Sequence, residues 1–178
     1  MKIIVISDIH GSLFYMNKIK EIIDKSNVDK IVLLGDLYYH GPRNPLTQEY
    51  NPQQVANILN SYKDKILCVR GNCDAQVDEM ISEFKFNDNV KLDINGKRFF
   101  FTHGHKYNID NLPDNIDVIV YGHFHTGFIK QKDNVICVNS GSISLPKDNT
   151  KNSYLIIDDN NIKLMDLDGN VIDRIKYN

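Results

Sequence analysis

Five short polar motifs, each containing or bordering a glycine, are the parts of this sequence that could carry chemistry. In chain order they are Asp8-Ile9-His10, Gly35-Asp36, Gly71-Asn72-Cys73-Asp74, His103-Gly104-His105 and Gly122-His123-Phe124-His125. Carboxylate and imidazole groups without a thiolate pair are typical of catalytic transition-metal sites, whereas structural zinc sites are rich in cysteine. Magnesium alone would favour a set of oxygen ligands. The side chains therefore indicate a catalytic metal site.

Each motif taken alone has an ordinary structural interpretation as a turn or a helix cap. Together they are more specific, because each of the five directly follows a predicted strand. Extended residues at i and i+2 face the same side, so both members of an Asp-x-His or His-x-His pair can reach one ligand. Ligands of layered α/β folds collect outside the carboxyl ends of the strands. We therefore expect the motifs to converge at one edge of the sheets.

The elements that must position these motifs can be identified from their apolar patterns. The predicted strands that precede them are Lys2–Ser7, Lys30–Leu34, Lys65–Val69, Arg98–Thr102 and Asp117–Tyr121. A helix capped by Ser12 separates the first two, which predicts a parallel strand–helix–strand unit. Residues 38–52 are predicted to form a loop, and further helices are predicted at Gln53–Tyr62 and Ala75–Phe84.

The second half of the chain has the pattern of antiparallel structure. Asn95-Gly96 between two apolar runs predicts a hairpin with a type I′ turn. Another strand is predicted at Val135–Val138, and a C-terminal meander at Tyr154–Asp158, Ile162–Leu167 and Val171–Ile175. Strand–helix units followed by hairpins predict an α/β fold of two packed sheets with helices outside.

Length and composition limit the function classes. A chain of 178 residues suits a single domain spanning residues 1–178. The net charge of −2, from 21 basic and 23 acidic residues, gives no general attraction to nucleic acid or to an anionic membrane. Three cysteines without metal-finger spacing, and no apolar run long enough for a signal peptide or a membrane span, lead us to expect a cytoplasmic protein.

The order of the five motifs resembles that of the calcineurin-like metallophosphoesterases, over residues 1 to about 145. The stretch Gly35–Asn44 and the motif Gly-Asn-Cys-Asp are most similar to the small YfcE-type phosphodiesterases. The resemblance implies a four-layer α/β/β/α sandwich of two mixed sheets with outer helices and a dinuclear metal centre.

The resemblance also implies a ligand set. Asp8, His10 and His125 would hold one metal, Asn72, His103 and His123 the other, and Asp36 would bridge the two. The preference for His103 over His105 comes from the resemblance alone, and His105 either orients a ligand or has no part in the site.

The implied reaction is hydrolysis of a phosphodiester by a metal-bridging hydroxide. Two divalent ions less two aspartates and one hydroxide leave a charge of +1, which matches the −1 of a diester. Mn²⁺ is the first choice of metal, with Zn²⁺, Fe²⁺, Ni²⁺ and Co²⁺ left open. The expected partner is a small-molecule substrate, and the sequence is compatible with a homo-oligomer without indicating one.

Candidate catalytic and substrate-binding residues lie around these ligands. The Asn72 amide could donate to the phosphoryl group, and Asp74 either orients the loop or a ligand, or caps the helix after it. Cys73 stands where many family members have a histidine that aids the leaving group, and a thiol is a poorer proton donor to an alkoxide. Arg43 and His40 are candidates for binding phosphate oxygens, with an exposed loop arginine as the alternative interpretation.

Two other function classes remain open. The first is a non-catalytic metal-binding scaffold, because the fold implied by the motifs also resembles that of the small retromer subunit, which serves in protein assembly. Suitable residues at all seven implied ligand positions favour catalysis instead. The second is a nuclease, and the absence of a Lys/Arg cluster in the sequence argues against it.

Overall fold

The computed structural model describes residues 1–177, and Asn178 of the expected 1–178 domain lies outside the described residues. Its strands are β1 Ile3–Ile6, β2 Lys30–Leu33, β3 Ile66–Val69, β4 Phe86–Asn87, β5 Val90–Ile94, β6 Lys97–Phe101, β7 Val118–Tyr121, β8 Phe128–Lys132, β9 Val135–Asn139, β10 Ser153–Ile157, β11 Asn161–Asp166 and β12 Val171–Lys176. Its α-helices are α1 Leu13–Ser26, α2 Pro52–Asn60 and α3 Gln76–Ile81. The strands form two sheets.

The first sheet has seven strands in the order β12-β11-β10-β1-β2-β3-β4. Strands β1 to β4 are parallel, and α1, α2 and α3 lie in their connections, which confirms the predicted strand–helix–strand unit. Ser12 caps α1 as predicted, because its side chain accepts from the Tyr15 N–H. Helix α2 begins at Pro52, one residue before the predicted start, because Asn51 caps it. The antiparallel meander of β10, β11 and β12 is also confirmed.

The second sheet has five strands in the order β5-β6-β7-β9-β8. The predicted hairpin joins β5 to β6, with Asn95 and Gly96 at φ 48° and 77°, the left-handed values that a type I′ turn requires. Strands β6, β7 and β9 are parallel, so this sheet is mixed like the first. The short strand β4 and the edge strand β8 were not predicted.

Apolar side chains fill three layers around these sheets. Val5, Phe101 and Val120 belong to the core between the sheets, and α1 and α2 pack on the outer face of the first sheet. The outer face of the second sheet is covered by residues 104–116, which contain no helix but contribute Ile109 and other apolar side chains.

The predicted sandwich of two mixed sheets with outer helices is thus confirmed. Its fourth layer is irregular, because the segment that forms it contains Pro113 and a turn in which the Asn108 side chain accepts from the Asp110 N–H. No helix within residues 1–177 is long and apolar enough to cross a bilayer.

Candidate metal centre

The structure brings the ends of five strands together at one edge of the two sheets. Asp8 and His10 follow β1, Asp36 follows β2 and Asn72 follows β3 of the first sheet, while His103 follows β6, and His123 and His125 follow β7, of the second. The site therefore lies across both sheets, and all seven predicted ligand positions reach it.

Asp8, His10 and His125 form the first group of potential ligands. The Asp8 Oδ1 atom lies 3.2 Å from His125 Nε2 and 3.7 Å from His10 Nε2. The two Nε2 atoms are 3.2 Å apart. All three side chains are buried, and their ligand atoms lie within 4.8 Å of one another. This spacing suits a single ion bound between them.

Asp36, Asn72, His103 and His123 form the second group. His103 Nε2 lies 3.5 Å from Asp36 Oδ1, 2.9 Å from Asn72 Oδ1 and 3.2 Å from His123 Nδ1. The other Asp36 oxygen, Oδ2, lies 3.8 Å from His10 Nε2 of the first group. The Asp36 carboxylate thus faces both groups, one oxygen toward each.

Backbone carbonyls fix which ring nitrogen of three histidines faces the site. The Nδ1 atom of His10 lies 2.8 Å from the Tyr39 oxygen, that of His103 lies 2.7 Å from the Leu34 oxygen, and that of His125 lies 2.7 Å from the Leu145 oxygen. A carbonyl only accepts, so each Nδ1 carries a proton, and in the neutral ring Nε2 has a lone pair that it can offer to a cation. This arrangement is typical of metal-binding histidine.

The carboxylates of the site have different effects on the histidines around them. Burial opposes ionisation of Asp8, but its close contacts with the His10 and His125 rings outweigh burial and hold its pKa well below the usual value. Burial likewise opposes protonation of His103, yet Asp36 and Asp8 raise the pKa of this histidine to about 9. Burial and the neighbouring His103 lower the pKa of His123 to about 4, so this ring is neutral.

The donor atoms fit bound cations. The Asp8 Oδ1 atom is buried without a hydrogen-bond partner among the described residues. His10 Nε2 faces His125 Nε2, and His103 Nε2 faces Asn72 Oδ1, so lone pairs oppose each other at 3.2 and 2.9 Å when the rings are neutral. Buried acceptors in such contacts are costly unless a cation lies between them. A proton can occupy one such position, and metal ions would satisfy all of these atoms.

The backbone at the site is held in an uncommon conformation. Asp8, His10, Asp36, His123 and His125 have φ between 49° and 66°, in the left-handed region. Non-glycine residues in this region mark sites where the surrounding structure imposes the conformation.

Two serines help to impose the conformation of Asp8. The Oγ atoms of Ser142 and Ser144 donate to the Asp8 carbonyl at 2.7 and 2.9 Å. Ser142 belongs to the polar segment that follows β9, whose role the sequence alone did not reveal.

Asp74 organises the loops that carry the second group. Its carboxylate accepts from the N–H groups of Asp36, Leu37 and Gly71 at 2.7–2.9 Å. The alternative prediction, in which Asp74 caps the following helix, is not what the structure shows, because Ala75 occupies that position and its N–H is bound by the Asp78 side chain. Burial raises the pKa of Asp74 to about 6 despite these three donors.

A cavity of about 710 Å³ opens over the two ligand groups. Its walls include Arg43, Cys73 and Lys147, together with Tyr39 and Asn44. Arg43 therefore lies in the wall of the cavity, as predicted from the sequence. Asn44 belongs to the same loop, which was predicted as the substrate wall, whereas Lys147 and Tyr39 were not predicted, since only the folded loops bring them to the cavity.

Two other predicted residues do not line this cavity. His40 was expected to bind phosphate oxygens, but its ring packs between those of Tyr39 and Tyr50, with centroid distances of 4.7 and 5.4 Å. His105 lies behind the ligands, 5.4 Å from the His103 ring and 6.1 Å from the His123 ring, and lines a separate cavity of about 230 Å³.

Comparisons with known proteins agree with this geometry. Residues 1–161 match the model of the calcineurin-like phosphoesterase superfamily domain. Phosphodiesterase YfcE of Escherichia coli K12 is 38% identical over 184 residues, which cover 100% of this chain and 99% of that protein. The solved structure of the E. coli phosphoesterase YfcE covers 100% of both chains with a TM-score of 0.97 and 36% identity. Phosphodiesterase MJ0936 of Methanocaldococcus jannaschii is 27% identical over 79% of this chain and 83% of its own length.

A more distant structure shares the fold alone. Vps29 of Entamoeba histolytica, solved in complex with Zn²⁺, has a TM-score of 0.66 at 19% identity over 100% of both chains. The E. coli similarity is closer in both sequence and structure. The chain therefore belongs to the calcineurin-like phosphoesterase superfamily and is an enzyme of the phosphoric ester hydrolase class.

Proposed function

We propose that this protein is a metal-dependent phosphodiesterase that hydrolyses a small phosphodiester at a dinuclear metal centre. The observation that carries the proposal is the position of the Asp36 carboxylate. Its Oδ2 atom lies 3.8 Å from His10 Nε2 and its Oδ1 atom lies 3.5 Å from His103 Nε2. A carboxylate between two buried ligand groups is suited to bridging two ions.

The ligand assignment follows from the two groups. One ion would be held by Asp8, His10 and His125, the other by Asn72, His103 and His123, and Asp36 would bridge them. Two divalent ions held there would lower the pKa of a water molecule toward about 7, and the resulting hydroxide would be the nucleophile.

Two side chains outside the bridge are proposed to contact the phosphoryl group. The Asn72 amide can donate to a phosphoryl oxygen while its carbonyl oxygen faces the ion. The Arg43 guanidinium on the cavity wall can donate to two oxygens at once. Both groups would stabilise the transition state, in which the phosphorus has five oxygen neighbours and the phosphoryl oxygens gain negative charge.

We propose Mn²⁺ as the ion. Asp8, Asp36 and Asn72 offer oxygen atoms, which suit Mn²⁺, and the histidines offer nitrogen atoms that it also accepts. The same donors bind Zn²⁺, Fe²⁺, Ni²⁺ and Co²⁺, so the choice among these ions depends on their availability as well as on affinity.

We further propose a cytoplasmic enzyme that works on small molecules and consists of one domain. Its three cysteines are free, and Cys68 and Cys137 are buried, as is common in a reducing compartment. The cavity of about 710 Å³ suits a drug-sized ligand. Tyr177 at the end of the described chain packs in the same core as Ile3 at its start, which supports a single folding unit.

The proposal is tested by hydrolysis of bis(4-nitrophenyl) phosphate after chelation and addition of single divalent ions. We expect activity to disappear on chelation, to return with Mn²⁺, and to fall at least 100-fold in Asp36→Ala because the bridging carboxylate is gone. Asp173→Ala, on the exposed side of β12, is the control for loss of a carboxylate. Asp36→Asn, which keeps the shape of the side chain, guards against misfolding.

Three outcomes would contradict the proposal. Activity that survives chelation would exclude the metal mechanism, as would full activity in both Asp36 variants. Tight metal binding without hydrolysis of any diester would favour a scaffold. Salt-sensitive binding and cleavage of DNA or RNA would favour a nuclease instead.

A further inference from the structure

The cavity contains a cationic residue, Lys147, that the proposed mechanism does not use. Lys147 opens the turn 147–150, and its N–H donates to the carbonyl of the ligand residue His125 at 3.0 Å. Its own carbonyl accepts from the N–H and Oγ1 of Thr150 at 3.0 and 2.7 Å. The backbone of Lys147 is thereby fixed directly to the metal centre.

The side chains of Lys147 and Arg43 are not neutralised by the protein. Neither forms a hydrogen bond or an ion pair with another side chain or carbonyl of residues 1–177. Both side chains are exposed, as are those of the lysines at positions 20, 25 and 63, but these three lysines pair with Asp24, Glu21 and Glu83. Two unpaired cations on the wall of one cavity attract an anionic ligand.

The scissile diester alone does not require both cations. The proposed centre, with two divalent ions, two ionised aspartates and one hydroxide, already carries +1 against the −1 of a diester. Arg43 is assigned to the phosphoryl oxygens. Lys147 therefore adds positive charge that a diester with uncharged substituents leaves unmatched.

The position of this charge within the cavity is asymmetric. The segment that carries Lys147 attaches to the first ligand group through the Lys147 N–H at the His125 carbonyl, whereas the loop that carries Arg43 approaches both groups, at His10 through the Tyr39 carbonyl and at Cys73 through Gly41. Next to the second group, the cavity wall consists of the uncharged residues Cys73 and Ala75. One substituent of the substrate would thus meet positive charge and the other would not.

We propose that Lys147 is a specificity-determining residue that binds a negatively charged group on one substituent of the substrate. The substrate class is then a phosphodiester with a second anionic group, a carboxylate or a phosphate, on the side of His10 and His125. This inference rests on the proposed function.

Binding can be tested without catalysis, using phosphinates, which contain two P–C bonds and cannot be hydrolysed. Isothermal titration calorimetry of the Mn²⁺-loaded protein would compare diphenylphosphinate with (4-carboxyphenyl)phenylphosphinate. We expect the carboxylate to strengthen binding about threefold to tenfold, the range of a partly exposed ion pair. Lys147→Gln should abolish this preference, whereas Lys130→Gln, on the outer strand β8, should keep it. A 4-phosphonophenyl analogue distinguishes a phosphate-like from a carboxylate substituent.

Hydrolysis gives a second reading of the same residue. Phenyl 4-nitrophenyl phosphate and 4-carboxyphenyl 4-nitrophenyl phosphate share a leaving group and differ only in charge. Lys147→Gln should raise KM for the carboxylate ester about threefold to tenfold, with kcat unchanged, because the contact is equally strong in the ground and transition states.

The outcomes separate this inference from the proposed function. Equal binding of the two phosphinates to the wild type would overturn it, as would a preference that persists in Lys147→Gln or disappears only in Arg43→Gln. Failure of metal-dependent hydrolysis for both esters would instead contradict the proposed function.

Discussion

Cys73 lines the cavity, but its thiol is a weak acid. Burial, helped by the neighbouring Asp36 carboxylate, raises the pKa of Cys73 to about 12. Its thiol is therefore protonated at neutral pH but gives up its proton poorly. A leaving group that departs beside it must be stable as an anion, since general-acid catalysis is most effective when the pKa of the acid lies near the working pH.

We accordingly expect the enzyme to prefer aryl diesters over alkyl monoesters. Rates on a series of diesters should fall steeply as the pKa of the leaving alcohol rises. Cys73→His should narrow the gap between aryl and alkyl substrates at least tenfold, because imidazole has a pKa suited to proton donation. Cys73→Ser, which keeps the size of the side chain and supplies no acid of suitable pKa, should leave the gap unchanged. Equal rates of hydrolysis of aryl diesters and alkyl monoesters by the wild-type protein would contradict the predicted preference for good leaving groups.

At the scale of elements, glycines allow neighbouring strand ends to approach the carboxylates of Asp8 and Asp36. A Cβ atom on Gly122, which follows β7, would overlap Ser7 Oγ and the Asp8 carboxylate. A Cβ atom on Gly71, which follows β3, would overlap Asp36. The packing of one strand end against the next therefore fixes the positions of both aspartates.

Gly122→Ala is expected to weaken Mn²⁺ binding at least tenfold, because Asp8 must move to make room for the methyl group. The accompanying loss of stability should be about 1–3 kcal/mol, as for other overpacked sites. Titration calorimetry and urea unfolding measure the two effects. Gly169→Ala is the matched control, since its φ of 87° makes alanine strained while its Cβ would meet nothing within 4 Å. It should lose stability but keep its metal affinity, and equal metal affinity in both variants would refute the packing argument.

The turn between β11 and β12 depends on a buried carboxylate far from the metal centre. Asp166 accepts from Lys151 Nζ at 2.8 Å and from the N–H groups of Asp168 and Asn170 at 3.1 and 2.8 Å. The Lys151 contact, followed by the backbone and side-chain N–H groups of Asn170, outweighs the effect of burial and lowers the pKa of Asp166 to about 2.

A lowered pKa in the folded state means that Asp166 stabilises the fold above the unfolded pKa, near 4, and that this stability is lost as the pH falls toward 2. We expect Asp166→Ala to reduce the free energy of unfolding at pH 7 by about 1–2 kcal/mol, a value discounted because Lys151 is solvent-exposed. Urea unfolding at pH 7, 4 and 2.5 should show the difference from wild type shrinking by more than half at the lowest pH. A difference that stays constant would show that the turn does not depend on the ionised form. Lys151→Gln should reproduce part of the effect.

Local patterns explain which elements could be predicted from the sequence. Strands β1, β2 and β7 are short apolar runs bounded by polar residues, so their ends, and with them the ligand positions, could be identified. Strand β8 contains Lys130, Gln131 and Lys132, and within residues 1–177 it pairs with β9 alone, so its strand character depends on the partner rather than on its own pattern. The Asp74 contacts could not be predicted either, because the carboxylate could equally have capped a helix.

At the scale of the whole molecule, the residues that were missed depend on contacts between distant segments. Lys147 reaches the cavity because its N–H binds the His125 carbonyl, and no spacing in the sequence indicates this contact. His40 does not line the cavity, contrary to the prediction, because Tyr50, at the other end of the same loop, packs against its ring. The order of motifs predicts which residues meet, but the walls of the cavity depend on how the loops fold over them.

The proposed metal centre would also connect the two sheets, which would make ion binding depend on the whole fold. Asp8, His10, Asp36 and Asn72 follow strands of the first sheet, and the other three histidines follow strands of the second. An ion bound by residues of both sheets binds the folded state only, because the unfolded chain does not bring these residues together.

Metal binding should therefore stabilise the protein by mass action. We expect free Mn²⁺ at 100 times its Kd to raise the free energy of unfolding by about 2.7 kcal/mol, and at 1,000 times by about 4.1 kcal/mol, for each ion bound. Urea unfolding in a chelator and at several Mn²⁺ concentrations measures this gain. Asp36→Ala should lose most of it, because both ions lose a ligand, while Asp173→Ala should retain it. Equal unfolding midpoints with and without Mn²⁺, at concentrations that calorimetry shows to be saturating, would mean that the ion does not hold the two sheets together.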